Sequence, residues 1–165
     1  QQAKAFFDAQ AAHIEPILEK EKTGLSVAFF AVASDGTITV RKPNDYVSSM
    51  IELAGGTYSL NGYVPEEENA LSTLKMQMED FYAAEKDADI LIYNGTIEGE
   101  LTSIAELVQK NSLFADFKAV KTGQVYTTGS NFYQQTSETC DFIEDLNKVL
   151  NGETDAEYRF LKKIN

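Results

Sequence analysis

The chain has 165 residues, of which 43% are hydrophobic, 24% charged and 11% aromatic, a composition that fits one compact globular domain and excludes a disordered or fibrous one. Acidic residues outnumber basic ones by 26 to 14, and the resulting net charge of −12 repels phosphate backbones, which excludes nucleic acid as a partner. The longest apolar run, Val27 to Ala33, is far below the ~20 residues that span a bilayer, and a lone Cys140 excludes an internal disulfide or a multi-cysteine metal site.

No charged n-region with an apolar h-region opens the sequence, so a targeting signal is expected to be absent or removed. Phe7, Ala11, Ile14 and Leu18 recur at helical spacing and predict an amphipathic first helix. Pro16 is expected to kink or restart it, and Thr23-Gly24 to end it. Leu25 to Ala33 reads as a strand buried on both faces, and Asp35-Gly36 turns the chain into a short returning strand over Thr37 to Val40. Asn44 or Asp45 then caps a helix through Leu53, with Tyr46, Met50 and Leu53 as its stripe and Gly55-Gly56 as its stop.

Asn61 to Asn69 forms an acidic, turn-rich linker. Met78 to Lys86 has helical spacing and feeds a compact apolar strand, Asp89 to Tyr93, broken by Asn94-Gly95. Ser103-Ile104-Ala105-Glu106 is a capping box for a helix to about Lys110. Lys121-Thr122-Gly123 turns into the strand Val125 to Thr128, which ends in the polar and aromatic loop Gly129 to Gln135. Phe142, Ile143, Leu146, Val149 and Leu150 mark a further helix, and Thr154-Asp155-Ala156-Glu157 predicts a second capping box opening a short terminal helix. Helices alternating with short apolar strands predict an α/β fold, a three-layer sandwich with a mostly parallel central sheet behind a long first helix.

Catalytic chemistry is poorly represented. His13, the only histidine, lies beside the first helix's stripe, where a surface or packing role outweighs catalysis. Cys140 has no second histidine to activate it and reads as a small buried hydrophobe. Phosphate-cradling glycine loops and nucleophile elbows are missing, and Glu66-Glu67-Glu68 reads as a solvated acidic run, so no cofactor and no metal are expected. Ligands of open α/β sheets lie outside the carboxyl ends of the strands, which singles out the loops after Ala33, Tyr93 and Thr128.

The stretch Met78-Glu79-Asp80-Phe81-Tyr82-Ala83-Ala84-Glu85-Lys86-Asp87-Ala88-Asp89-Ile90-Leu91-Ile92-Tyr93-Asn94 resembles the C-terminal lobe of the substrate-binding proteins that serve ABC importers of iron-siderophores, haem and cobalamin. Leu113 to Tyr126 is similar to that family's short helix leading through Lys118-Ala119-Val120-Lys121 into its last strand, and Leu53-Ala54-Gly55-Gly56 to an earlier helix end. Two positions depart from the common pattern: Ala88, where many relatives have proline, and Tyr126, where many have tryptophan.

The resemblance implies a protein of two α/β lobes joined by one rigid helix, with the solute clamped between them. Residues 1–22 would be the connecting helix or its remainder, 23–165 the C-terminal lobe, and the N-terminal lobe would be missing from this sequence. It implies a binding role and no enzyme activity, a metal-chelate ligand, permease subunits as partners, and an extracytoplasmic place, periplasmic or lipid-anchored to the outer face of the membrane. With the strand-end rule it puts Arg41, Tyr46, Tyr93, Asn94, Asn131 and Tyr133 on the cleft wall. Glu79 would be the surface carboxylate presented to arginines of the permease. The competing expectations are a doubly wound α/β enzyme domain of unknown reaction and a lobe used only for protein contact.

Overall fold

The computed structural model describes residues 2–65, 71–130, 132, 139–153 and 156–165. In chain order the elements are α1 (Gln2–Leu18), β1 (Ser26–Val32), β2 (Ile38–Arg41), α2 (Tyr46–Leu53), β3 (Thr57–Tyr58), β4 (Thr73–Met76), α3 (Met78–Glu85), β5 (Ile90–Tyr93), α4 (Gly95–Glu98), α5 (Ile104–Lys110), a 3-10 turn at Ser112–Asp116, α6 (Lys118–Lys121), β6 (Val125–Thr128), α7 (Thr139–Leu150) and β7 (Leu161–Lys163).

The strands form one sheet in the order β4-β2-β1-β5-β6-β7, with β3 also paired to β1. Its centre is parallel, β1 on β5 and β5 on β6, and β3 joins β1 in the same sense. The outer strands are antiparallel: β2 on β1, β4 on β2, and β7 on β6. The expected three-layer α/β sandwich is present, with a parallel core widened by antiparallel edges.

Successive strand residues point to opposite faces, and β1 uses both. Phe29 faces Phe132, centroids 6.1 Å apart, and Phe132 in turn meets Phe142 of α7 at 4.5 Å. Phe30 turns the other way, onto Phe81 of α3 at 4.9 Å and Phe114 of the 3-10 turn at 5.4 Å. The helices therefore form two layers: α1, α2 and α7 on the Phe29 side, and α3, the 3-10 turn and α6 on the Phe30 side. A strand sealed under both layers must be apolar throughout, which is why Val27 to Val32 carry no charge and are all buried.

Several local expectations need correction. The apolar face of α2 is Val47, Met50 and Ile51, not the Tyr46, Met50 and Leu53 stripe, since Tyr46 and Leu53 stay 49% and 41% exposed. Of the kink or restart expected at Pro16, no restart occurs: α1 ends at Leu18, two residues beyond it. Ser103 caps α5 by accepting from the Glu106 N–H at 3.3 Å. The Glu106 carboxylate, however, reaches back to the Thr102 N–H at 2.7 Å, one residue earlier than a capping box requires. Strands β3 and β4 fall where only a linker or no element was expected. Residues 156–165 close the chain with β7 on the sheet edge where a terminal helix was expected; Thr154 and Asp155 of the expected capping box lie outside the described residues.

Candidate functional site

The carboxyl ends of the parallel strands β1, β5 and β6 reach one edge of the sheet. Tyr93, the last residue of β5, is level with Phe30, whereas β1 continues to Val32 and turns over at Ser34–Gly36. The β1–β2 hairpin therefore stands two residues, roughly 7 Å, above the ends of its neighbours and forms a raised wall beside them. Asp35 sets the hairpin turn by accepting from the Thr37 N–H at 3.0 Å and hydroxyl at 2.6 Å, and these bonds hold its carboxyl below the usual carboxylate range.

Below that wall, Asn94 follows β5 and caps α4, its side-chain oxygen accepting from the Thr96 N–H at 3.2 Å and hydroxyl at 2.6 Å. The Gly95 N–H donates to the Thr128 hydroxyl at 3.0 Å, which ties the end of β5 to the end of β6. Beyond β6, the Ser130 N–H donates to Glu100 at 3.1 Å. Glu98, Gly99, Glu100, Leu101, Glu106 and Lys110 line an open pocket of about 340 Å³ beside this edge.

Arg41 ends β2 on the far side of β1, one register step past the Phe30–Val40 pair and so within two residues of the level of Asn94. Its side chain is 10% exposed and grips Asp45 in a fork, Nε to Oδ1 at 3.0 Å and a terminal nitrogen to Oδ2 at 2.7 Å. Asp45 also accepts from the Val47 N–H at 2.8 Å, so one carboxylate both caps α2 and neutralises Arg41. The guanidinium carbon lies 4.8 Å from the centroid of the Tyr46 ring, which is half exposed.

Of the residues expected on a cleft wall, Arg41 and Tyr46 form one unit with an exposed aromatic face. Tyr93 and Asn94 are both buried in this lobe. The Tyr93 ring is fully buried, edge-on to Phe30 at 5.7 Å, because β5 is covered on both faces. Asn94 is 4% exposed because its side chain serves as a helix cap. Asn131 and Tyr133 lie outside the described residues, as does Glu66-Glu67-Glu68. Glu79 is exposed in the first turn of α3 beside Asp80. Cys140 is 7% exposed, with Sγ 3.4 Å from the Gln10 carbonyl, and burial pushes its thiol up, away from nucleophilic use.

Two features escaped the sequence. Glu85 is wholly buried at the end of α3, with neither carboxylate oxygen bonded among the described residues, and desolvation pushes it up to about 7. The nearby Ser59 hydroxyl, which donates to the Val27 carbonyl at 2.9 Å, offsets that only in part. The other feature is that His13 on α1 meets Asp141 and Glu144 on α7. Nothing in Ala83-Ala84-Glu85-Lys86 marks its glutamate as internal, and a contact across more than a hundred residues leaves no local trace.

Residues 1–132 match the family model described as periplasmic binding protein. Among solved structures, the chain is similar to an ABC transporter substrate-binding protein from Listeria monocytogenes, at 18% identity and a TM-score of 0.62, covering 91% of this chain and 57% of that one. It is similar to the siderophore periplasmic binding protein from the fuscachelin gene cluster of Thermobifida fusca, at 18% identity and a TM-score of 0.66, covering 92% and 54%. It is also similar to the periplasmic haem binding protein HutB of Vibrio cholerae, at 12% identity and a TM-score of 0.66, covering 93% and 57%. This chain thus spans little more than half the length of these three structures. No curated protein matches it.

Proposed function

The chain belongs to the periplasmic binding protein family, and on that premise we propose that it is the C-terminal lobe of a two-lobe solute-binding component of an ABC importer. The solute in this reading is a metal chelate: a ferric siderophore, haem or cobalamin. The protein binds its solute and does not transform it. It works outside the cytoplasm, consistent with its family, and a lipid anchor would hold it to the membrane's outer face.

One observation carries the reading. More than nine-tenths of this chain superposes on relatives of which it covers only 54–57%, which supports reading it as one of two lobes. In a two-lobe protein α1 would be the connecting helix. Its residues Lys4 to Ala9 are exposed, with Phe7 68% accessible, while Ile17 is buried against the lobe. The wall of the cleft would comprise Arg41 with Tyr46, the raised hairpin turn, and the loop after β6 with Asn131 and Tyr133. Because Asp45 already neutralises Arg41, this lobe would grip its ligand through aromatic and hydrogen-bonding contacts more than through charge.

The test is calorimetry with a ferric hydroxamate, a ferric catecholate, haem and cobalamin, on this chain and on the two-lobe protein. One chelate is expected to bind the two-lobe protein, with this lobe alone at least roughly a hundredfold weaker, since half a clamp supplies part of the contacts and none of the enclosure. Equal affinity for both proteins, or no chelate bound by either, would overturn the reading.

A further inference from the structure

From the meeting of α1 and α7 we infer that His13, Asp141 and Glu144 form a binding site for a divalent transition-metal ion of the zinc type, one that staples the two helices together. The inference does not depend on the proposed function, and its metal is a structural one, distinct from any transported chelate.

His13 comes from α1, whereas Asp141 and Glu144 stand three residues apart on α7 and so share one face of that helix. His13 Nε2 lies 2.7 Å from Glu144 Oε2, and Nδ1 lies 3.6 Å from Asp141 Oδ1. One ligand atom from each of the three residues lies within 4.8 Å of the others. Zinc bonds of about 2.0–2.2 Å to imidazole and carboxylate ask for ligand atoms about 3.3–3.5 Å apart, so the His13–Glu144 pair must open by roughly 0.7 Å while Asp141 closes in by at most roughly 1.5 Å. The three side chains are between a fifth and two-fifths exposed, which leaves them room to make that movement. An imidazole with two carboxylates is a borderline donor set that suits zinc, cobalt or nickel, with water filling the remaining positions.

The carboxylates are already oriented for the task. Lys148 holds Glu144 by its other oxygen, Oε1, at 2.7 Å, and Arg159 holds Asp141 by Oδ2 at 3.0 Å. Each acid therefore turns its remaining oxygen toward His13, in the manner of outer groups that fix a metal's ligands. The metal would take the place of the hydrogen between imidazole and carboxylate, with the ring's proton carried on its other nitrogen.

The sequence makes the experiment clean, because His13 is the only histidine in the chain. Any imidazole coordination signal belongs to it. Zinc titrated into the chain by calorimetry should bind one to one, and cobalt in its place should give visible absorption bands of a low-coordinate nitrogen and oxygen site. In long-range nitrogen-proton spectra the single imidazole should shift on adding zinc. His13→Ala should weaken zinc binding at least about tenfold and abolish the cobalt bands, and Asp141→Asn should weaken it while keeping the fold. At a free zinc concentration about a hundredfold above the dissociation constant, the unfolding midpoint of the wild-type chain should rise by roughly 5–10 °C. Zinc binding that survives His13→Ala unchanged, or an imidazole spectrum that zinc does not move, would overturn the inference and leave an ordinary helix-to-helix ion pair.

Discussion

Gly95 lies so close to Thr128 that a Cβ placed on it would stand 2.2 Å from the Thr128 carbonyl oxygen, while the Gly95 N–H donates to the Thr128 hydroxyl. The ends of β5 and β6 are thereby locked at the edge where the loops gather. Gly95→Ala should cost about 1–3 kcal/mol, because the obstacle is backbone of a central strand and cannot swing aside. Urea unfolding measures it, and a loss below about half a kcal/mol would mean the two strand ends separate easily.

Glu85 makes stability depend on pH in a stated direction. Its folded pKa is raised to about 7 from an ordinary value of 4.5, so the fold favours the protonated form. That contribution is complete below about pH 4.5, falls away as pH rises toward 7, and is gone above it. In Glu85→Gln the group no longer titrates. The stability of the variant relative to wild type should therefore climb between pH 4.5 and 7, by an amount on the order of 3 kcal/mol at most. Unfolding the two proteins in parallel across that range, and reading the slope of the difference, separates the titration from any constant cost of burying an amide. A flat difference would show that Glu85 reaches water.

Asp145 is the anchor of the last strand. Its carboxylate accepts from the backbone N–H groups of Arg159, Phe160 and Leu161, at 2.9, 2.7 and 3.2 Å for Oδ2. Burial nevertheless raises its pKa, since desolvation outweighs those donors. Asp145→Ala would leave three donors without their acceptor and should cost roughly 3–5 kcal/mol. Hydrogen exchange should show β7 opening well before the rest of the sheet, and unchanged protection there would contradict the anchoring role.

Glu79 tests the proposed transport role. A carboxylate in the first turn of α3 is favoured by the helix dipole and can form a two-bonded pair with an arginine. Glu79→Arg in the two-lobe protein should leave solute affinity unchanged and reduce uptake by at least about tenfold. Calorimetry and transport into proteoliposomes read the two effects separately, and normal uptake would remove Glu79 from the interface.

The layered fold was legible because covered strands have to be apolar. Leu25 to Ala33 and the Ile90 to Tyr93 part of the second segment announce strands by that rule, Val125 to Thr128 does so by its β-branched and aromatic residues, and their spacing leaves room for helices. Strand β4 was not legible: Thr73-Leu74-Lys75-Met76 alternates as an edge strand does, but four residues are too few to separate it from linker. The site was legible only as loop positions. That Tyr93 faces inward depends on β5 being covered on both faces, and that Asn94 is consumed as a cap depends on α4 beginning at once, neither of which composition reveals. Arg41 gave no sign of its fork with Asp45, because a charge at a strand end reads alike whether paired or offered to a ligand.

The antiparallel margins of the sheet bear on how the protein behaves at high concentration. Its outermost strands, β4 and β7, run for four and three residues and carry Lys75 and Lys162 on exposed positions. Brief strands bearing lysine make poor templates for another chain's backbone, and a molecule of net charge −12 repels its own copies before such edges can meet. A lobe that ended on the long apolar β1 would offer a template for fibril stacking; with β1 inside the sheet and two short lysine-bearing strands at its ends, that template is not presented.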